Sequence, residues 1–202
     1  PGAWCDERYQ WQWHLENTDF MGSQPDADAD VREAWHFTQG KSGETSTLIA
    51  ILDSSFYAEH EDFEGNLWQS DGVFGIRVVE DDHPGLLNPD TKNPSHGTKV
   101  AGIAAARGGN GIGGTGVCPE CRLLLIRYSV DDNLASSENI ETGFKEAWGH
   151  GAKIISNSWG GEIEDSLVYD AVKEAVEKGS VVLIAMSNEK LDNCGGDSGY
   201  LD

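Results

Sequence analysis

The sequence predicts an α/β protein built on a doubly wound parallel sheet with helices on both faces. Short apolar runs, partly β-branched, alternate along the chain with longer amphipathic segments that end in glycine. Apolar runs without polar alternation are typical of strands that are buried on both faces of a sheet. Their alternation with helical segments favours crossover connections, and a parallel sheet follows from these.

The predicted elements follow in regular order. Residues 1–25, with three tryptophans, are expected to be irregular, and residues 28–35 form a short helix whose acidic start favours the helix dipole. The predicted strands are residues 47–52, 122–128, 152–158 and 180–186. The longer predicted helices are residues 95–106, 140–151 and 165–179.

The charge of the chain limits its partners. Among 202 residues, 35 are acidic and 14 are basic, which gives a formal net charge of −21. Nucleic acid and anionic membrane surfaces are therefore disfavoured, because both would be repelled. The sequence also contains no apolar run long enough to predict a membrane span.

Four cysteines, Cys5, Cys118, Cys121 and Cys194, allow three pairings. Cys118 and Cys121 supply half of a zinc knuckle, but no second C-x-x-C and no nearby histidine pair completes it. We therefore favour two structural disulfides, Cys118–Cys121 and Cys5–Cys194, and an oxidising compartment. A cytosolic metal-binding domain that uses Cys118 and Cys121 is a distant alternative.

Polar residues lie at the ends of three of the predicted strands or just after them: Asp53, Ser158 and Asn188. In doubly wound sheets, functional groups gather at this carboxyl end of the strands. His96 lies at the start of the predicted helix 95–106. A carboxylate that accepts the N–H of one ring nitrogen fixes the tautomer of an imidazole and stabilises the imidazolium. The other ring nitrogen can then take a proton from a hydroxyl nucleophile.

These residues lie in the segments IAILDSSF (49–56), HGTKVAGIAAA (96–106), SWGG (158–161) and AMSNE (185–189). The segments, in this order, resemble the signature blocks of the subtilisin-like serine proteases. Three further segments resemble the kexin and furin branch of that family. These are residues 12–17, 30–35 and 192–200.

The resemblance implies a serine endopeptidase that hydrolyses peptide bonds by a Ser–His–Asp mechanism. Asp53 would orient His96, the general base and later the general acid. Asn188 would donate its side-chain amide to the oxyanion of the tetrahedral intermediate. The residues that the resemblance assigns to binding of an extended peptide or protein substrate are Ser158, Trp159, Gly160, Gly161, Ala185 and Met186.

The family's nucleophile lies in a G-T-S-x-A block, and these 202 residues contain none. The two G-T pairs, at Gly97 and Gly114, are not followed by serine. We therefore interpret residues 47–202 as the N-terminal part of a subtilisin-like catalytic domain that is incomplete at its C-terminus. Residues 1–46 would be an N-terminal wrapping segment with the first helix. The serine is expected on a second polypeptide or on a C-terminal segment.

Two serines replace glycines that the family usually has, Ser55 after the aspartate and Ser187 before the oxyanion asparagine. Glycine at such positions gives backbone freedom and allows close approach. The alternative hypothesis is therefore a non-catalytic subtilase-like protein that acts in binding or as a scaffold.

The resemblance also sets expectations about ions, specificity and location. No cofactor is expected for catalysis, but a structural calcium ion is possible, with Asp192 as a candidate ligand because calcium prefers carboxylate oxygens. The acidic residues near the substrate strand would favour basic side chains in the substrate if they line the cleft. They are Glu162, Glu164, Asp165, Asp192 and Asp197. A secreted or periplasmic location is expected.

Overall fold

The computed structural model describes residues 6–82, 85–87, 95–129, 135–159 and 165–185. Within these residues the α-helices are α1 (Val31–Ala34), α2 (His96–Ala105), α3 (Ser137–Gly149) and α4 (Ser166–Glu177). The strands are β1 (Lys41–Ser42), β2 (Thr45–Ser46), β3 (Leu48–Asp53), β4 (Gln69–Ser70), β5 (Val73–Phe74), β6 (Ile76–Arg77), β7 (Arg122–Arg127), β8 (Ile154–Asn157) and β9 (Val181–Ile184). Short 3₁₀ turns cover Tyr9–Trp11, Phe20–Gly22 and Glu61–Phe63.

Five strands form one parallel sheet in the order β6-β7-β3-β8-β9. The register places Ile49 of β3 opposite Ile154 of β8, and Ile154 opposite Val181 of β9. At the other edge, Ile76 of β6 pairs with Ile126 of β7. The predicted strands are therefore confirmed, and β6 is an addition that the sequence did not predict.

The described residues group into two compact units. Unit 1 comprises residues within 1–47, 59–67 and 101–123. Unit 2 comprises residues within 48–58, 68–100 and 124–202, and it holds most of the sheet. The predicted division of the chain between residues 46 and 47 stays a prediction.

Helices α3 and α4 contact each other and cover one face of the sheet in unit 2. Ala50 and Leu52 of β3 belong to this buried cluster together with Phe144 of α3. Because successive side chains of a strand point to opposite faces, Asp53 points away from this cluster. The first turn of α2 lies on that other face, since a Cβ on Gly97 would come within 2.8 Å of the Asp53 Cβ. Helices thus lie on both faces, as predicted.

Unit 1 has a small core of its own. Leu15, Val31 and Trp35 are buried together, with Tyr9 packed against them. The indole N–H of Trp35 donates a hydrogen bond to the carbonyl oxygen of Val117 over 2.8 Å. The N-terminal residues are therefore joined to the later part of unit 1 by packing and by hydrogen bonds.

The helix predicted over residues 28–35 is only partly correct, because α1 covers Val31–Ala34 alone. Asp30 has a left-handed backbone with φ of 52°, which cannot continue a right-handed helix. The Asp28 carboxylate accepts the backbone N–H of Asp30 over 2.7 Å, a local hydrogen bond that competes with helix formation. None of the described helices is long and apolar enough to span a membrane.

Candidate active site

Asp53 is the last residue of β3 and is only 4% exposed. Its Oδ1 accepts the backbone N–H of Ser54 over 2.8 Å. A carboxylate that ends a buried strand is held by the rigid sheet, and it needs hydrogen-bond donors to compensate for lost hydration. The next donor comes from a distant part of the sequence.

His96 is the first residue of α2, and its Nδ1 supplies that donor. Nδ1 lies 2.8 Å from Oδ2 and 3.0 Å from Oδ1 of Asp53. A carboxylate only accepts hydrogen bonds, so this contact favours the tautomer that carries its proton on Nδ1 and leaves Nε2 as an acceptor. The His96 side chain is 41% exposed, whereas the Asp53 side chain is 4% exposed. The pair therefore has a buried end and a solvent-facing end.

Two small residues after His96 allow this approach. A Cβ on Gly97 would lie 2.6 Å from the carbonyl oxygen of Ser55 and 2.7 Å from Cε1 of Phe56. Thr98 is buried, and its Oγ1 accepts the backbone N–H of Tyr57 over 2.8 Å. The G-T pair therefore fastens the first turn of α2 to the segment that follows β3.

Burial raises the pKa of Asp53 above its ordinary value, and the hydrogen bond from His96 works against that rise. Tyr128, which follows β7, is buried, and its backbone N–H donates to the carbonyl oxygen of Asp53 over 3.2 Å. Burial, and then the negative charge of Asp53, raise the pKa of the Tyr128 phenol. Tyr128 therefore remains neutral next to the carboxylate.

Tyr128 was not predicted as a site residue. Like Asp53 and Ser158, it lies at the carboxyl end of a buried parallel strand, so its position at the end of residues 122–128 was the available signal. Its ring lies 6.1 Å from the ring of Trp159, centroid to centroid. Tyr128 thus connects the surroundings of Asp53 to one predicted substrate-binding residue.

Three of the predicted substrate-binding residues lie among the described residues. Ser158 and Trp159 directly follow β8 and are half-buried, and Ala185 directly follows β9 and is exposed. The backbone N–H of Ala185 donates to the carbonyl oxygen of Asn157 over 2.9 Å. The ends of these two neighbouring strands are therefore tied together.

Other predicted site residues lie outside the described residues. They are the oxyanion candidate Asn188, the substrate-binding candidates Gly160, Gly161 and Met186, and the calcium candidate Asp192. The predicted Cys5–Cys194 disulfide and Ser187 also lie outside them. These remain predictions.

The other predicted disulfide is present. The sulfur atoms of Cys118 and Cys121 are bonded to each other, with their Cα atoms 5.3 Å apart. Bonded sulfurs cannot serve as thiolate ligands, so this geometry disfavours the alternative of a metal-binding domain.

Ser55 fits its position. It is fully buried, and its backbone is not among those with positive φ. The conformational freedom of glycine is therefore not required there. This departure from the family pattern leaves the contact between Asp53 and His96 intact.

Asp165 has a local role. It is the N-cap of α4, where its Oδ1 accepts the backbone N–H of Leu167 over 2.8 Å, and its Oδ2 accepts a hydrogen bond from the Ser137 hydroxyl. Its carboxylate is thus already engaged in starting a helix. The expectation that it lines an acidic cleft gains no support from these contacts.

In the part of the chain that the structure describes, one group of three carboxylates could approach a metal ion. Oxygens of Asp28, Asp30 and Glu33 lie within 4.8 Å of one another. Calcium usually takes about six to eight oxygens, and both oxygens of Asp28 already accept backbone N–H groups. These three residues alone do not fit a calcium ion, and no step of the chemistry depends on one.

The fold and the pair of Asp53 and His96 define a carboxylate–imidazole site at the end of a parallel sheet in an α/β protein. The family model described as the subtilase family, Peptidase S8, matches residues 44–200. The chain therefore belongs to the subtilase family of serine peptidases, as the sequence blocks predicted. Membership of the kexin and furin branch stays a prediction.

Two curated relatives illustrate the similarity. Thermitase from Thermoactinomyces vulgaris is 33% identical over 156 residues, which cover 77% of this chain and 51% of thermitase. A calcium-dependent protease from Trichormus variabilis is 33% identical over 151 residues, covering 74% of this chain and 20% of that protein. The chain thus spans about half the length, or less, of these relatives.

A solved structure shows the same fold. A protease from Pseudoalteromonas arctica superposes with a TM-score of 0.73 at 24% identity, covering 93% of this chain and 59% of the other. At this level of identity the likeness concerns the fold alone.

Proposed function

We propose that the chain is part of a serine endopeptidase in which Asp53 and His96 are two members of a Ser–His–Asp triad. The observation that carries the proposal is the contact between His96 Nδ1 and the buried carboxylate of Asp53. In the proposed reaction, His96 Nε2 takes the proton of a serine hydroxyl as that oxygen attacks the peptide carbonyl carbon. The imidazolium then gives the proton to the leaving amine, and Asp53 stabilises the positive charge meanwhile.

The exposure of the two side chains supports these roles. The His96 side chain is 41% exposed, which leaves access for a hydroxyl group, whereas Asp53 is shielded from water. An ion pair with a buried carboxylate is stronger than one in water, because the effective dielectric constant is lower. The arrangement therefore suits stabilisation of the imidazolium that forms during the reaction.

The serine itself would come from residues other than these 202, on a second polypeptide or a further segment. The uneven burial of the sheet supports this part of the proposal. By the register, Asp53 shares its face of the sheet with Ser156 of β8 and with Leu183 and Val181 of β9. Val181 is 59% exposed and Leu183 is 53% exposed, although both lie in a strand of the central sheet. A further segment packed there would cover this apolar surface beside the pair.

Peptide or protein substrates follow from the family, and the remaining assignments complete the proposal. The segment at Ser158, Trp159, Gly160 and Gly161 would pair with an extended substrate as an added strand. Ala185 and Met186 would contribute to the wall of the pocket for the side chain before the cleaved bond. Asn188 would donate to the oxyanion; removal of one such donor typically costs about 10²–10³-fold in turnover.

The proposal also includes a cellular location and a structural calcium ion. A secreted or periplasmic location is supported by the oxidised pair Cys118 and Cys121, because disulfides persist in oxidising compartments. A structural calcium ion is kept as part of the proposal because a relative is named a calcium-dependent protease. Asp192 is its candidate ligand.

The test is hydrolysis of an unfolded protein substrate by the intact protein and by the variant His96→Gln. The matched control is His36→Gln, which changes an exposed histidine. We expect the first variant to lose hydrolysis and the control to keep it. A wild-type protein that binds the substrate without cleaving it would instead support the non-catalytic alternative, and equal activity of all three proteins would overturn the role of His96.

A further inference from the structure

A polar cavity of about 270 Å³ lies within unit 1, and none of its lining residues belongs to the candidate active site. Lys41, Arg107 and Arg122 line it, together with the hydroxyl-bearing Ser46 and the carboxylate-bearing Glu120. The lining therefore includes three basic side chains and one acidic side chain.

This concentration of positive charge is unusual for the chain. The whole sequence has 14 basic residues against 35 acidic ones. Yet among the described residues no carboxylate oxygen lies within 4.0 Å of the charged nitrogens of Lys41, Arg107 or Arg122. Three cations around one cavity repel one another, and an anion between them would remove that cost.

The two arginines keep donors available for such an anion. Arg122 Nη2 donates to the carbonyl oxygen of Leu67 over 3.0 Å, and Arg107 Nη1 lies 3.5 Å from the carbonyl oxygen of Glu64. Each guanidinium has about five N–H donors, so these contacts orient the groups and leave several donors unused.

The walls of the cavity are held in place by independent contacts. The buried Asn66 side chain donates to the carbonyl oxygens of Ala105 and Pro119, each over 3.1 Å. The disulfide between Cys118 and Cys121 encloses Pro119 and Glu120. A site whose walls are already ordered loses less entropy when a ligand binds.

Gly65 gives Arg107 its place at the cavity. It has a φ of 84°, and a Cβ there would lie 2.6 Å from Arg107 Nη1. A residue with a side chain here would be strained by the left-handed backbone and would require the Arg107 guanidinium to shift. Arg107 lines the cavity and is exposed, so its guanidinium is accessible to a dissolved ion.

We propose that this cavity binds a small oxyanion, namely phosphate or sulfate, free or as the phosphate group of an ester. Arg107 and Arg122 supply planar pairs of donors that match oxyanion geometry, and Lys41 supplies a compact positive charge. Glu120 limits the affinity by repulsion. Binding is independent of the peptidase reaction and stabilises unit 1.

The test is titration calorimetry of the intact protein with inorganic phosphate, with sulfate and with glycerol phosphate, with sodium chloride keeping the ionic strength constant. We expect saturable binding of phosphate and sulfate, and about tenfold weaker binding for Lys41→Gln or Arg107→Gln, since each removes a charge-assisted contact. The matched controls are Lys173→Gln and Arg8→Gln, which remove exposed charges away from the cavity lining.

Glu120→Gln should bind the oxyanion more tightly than the wild type does, because it removes a carboxylate that repels the ion. Unfolding midpoints in sodium chloride verify that each variant is folded. Binding of glycerol phosphate as tight as that of phosphate would identify the phosphate group as the ligand, whereas binding of the inorganic ions alone would identify the free ion. No binding beyond the chloride control, or equal losses in the cavity variants and the matched controls, would overturn the proposal.

Discussion

His96 Nδ1 lies 2.8 Å from Oδ2 of Asp53, although the two residues are 43 positions apart in the chain. The strand β3 and the helix α2 bring them together, and Gly97 allows the close approach. Because the contact involves a buried carboxylate and an exposed imidazole, its loss should affect chemistry more than folding. The next two predictions use this difference.

Asp53→Asn should lower the turnover of the intact protein by about 10⁴-fold, because an amide does not hold the same tautomer of His96. The measurement is the steady-state rate on a peptide substrate. Asp71→Asn is the control, since Asp71 is exposed and its left-handed backbone also suits asparagine. Equal rates for Asp53→Asn and the control would contradict the role of Asp53.

The difference in unfolding free energy between the wild type and Asp53→Asn should decrease as the pH rises. Burial raises the pKa of Asp53 in the folded state, so the folded protein binds a proton more tightly than the unfolded chain does. The resulting stabilisation is fully present below the unfolded pKa of about 3.9, and it is lost as the pH rises through the raised folded pKa. Urea unfolding of both proteins at a series of pH values measures the difference, and a rise of that difference with pH would oppose the prediction.

Gly97→Ala should destabilise the protein by about 1–3 kcal/mol and lower activity, because the new Cβ meets backbone and core atoms of Ser55 and Phe56. Gly102→Ala on the same helix is the control, since no atom lies within 4 Å of its added Cβ. The control should gain about 1 kcal/mol from helix propensity. The unfolding free energies of Gly97→Ala and Gly102→Ala test this prediction. Similar values for both variants would show that a side chain at position 97 does not hinder the close approach of α2 to Asp53.

Much of the fold follows from apolar patterns. The strands β3, β7, β8 and β9 each contain a short apolar run that predicted them, and the amphipathic spacing of α3 and α4 predicted those helices. The two-residue strand β6 could not be predicted, because so short a segment becomes a strand only through its pairing with β7. The turn at Asp30 was missed because its backbone conformation depends on a local hydrogen bond from its own N–H to Asp28.

The part of the candidate site that lies in sequence motifs could be predicted. The pairing of Asp53 with His96 follows from the order of the blocks and from the strand-end position. Tyr128 was not predicted as a site residue, since an aromatic residue at the end of a buried strand is usually part of the core. Its relation to Asp53 arises only when β7 and β3 become neighbours in the sheet.

The double variant Cys118→Ala/Cys121→Ala should lose about 2 kcal/mol of unfolding free energy, because the disulfide closes a very short loop and so restricts the unfolded chain only modestly. Urea unfolding of the oxidised wild type and the variant measures the loss. The wild type in the presence of a reductant is the control and should be no more stable than the variant. A wild type whose stability does not respond to reduction would contradict a structural role for this disulfide.

The most direct measurement for the central claim is intact mass analysis of the protein after reaction with a fluorophosphonate, followed by mapping of the modified residue. This reagent reports a serine activated by a neighbouring base. The account predicts one modification, on a serine outside these 202 residues, and its loss in His96→Gln but not in His36→Gln. Absence of modification in the wild-type protein, or modification that persists in His96→Gln, would contradict the proposal that Asp53 and His96 serve a nucleophilic serine.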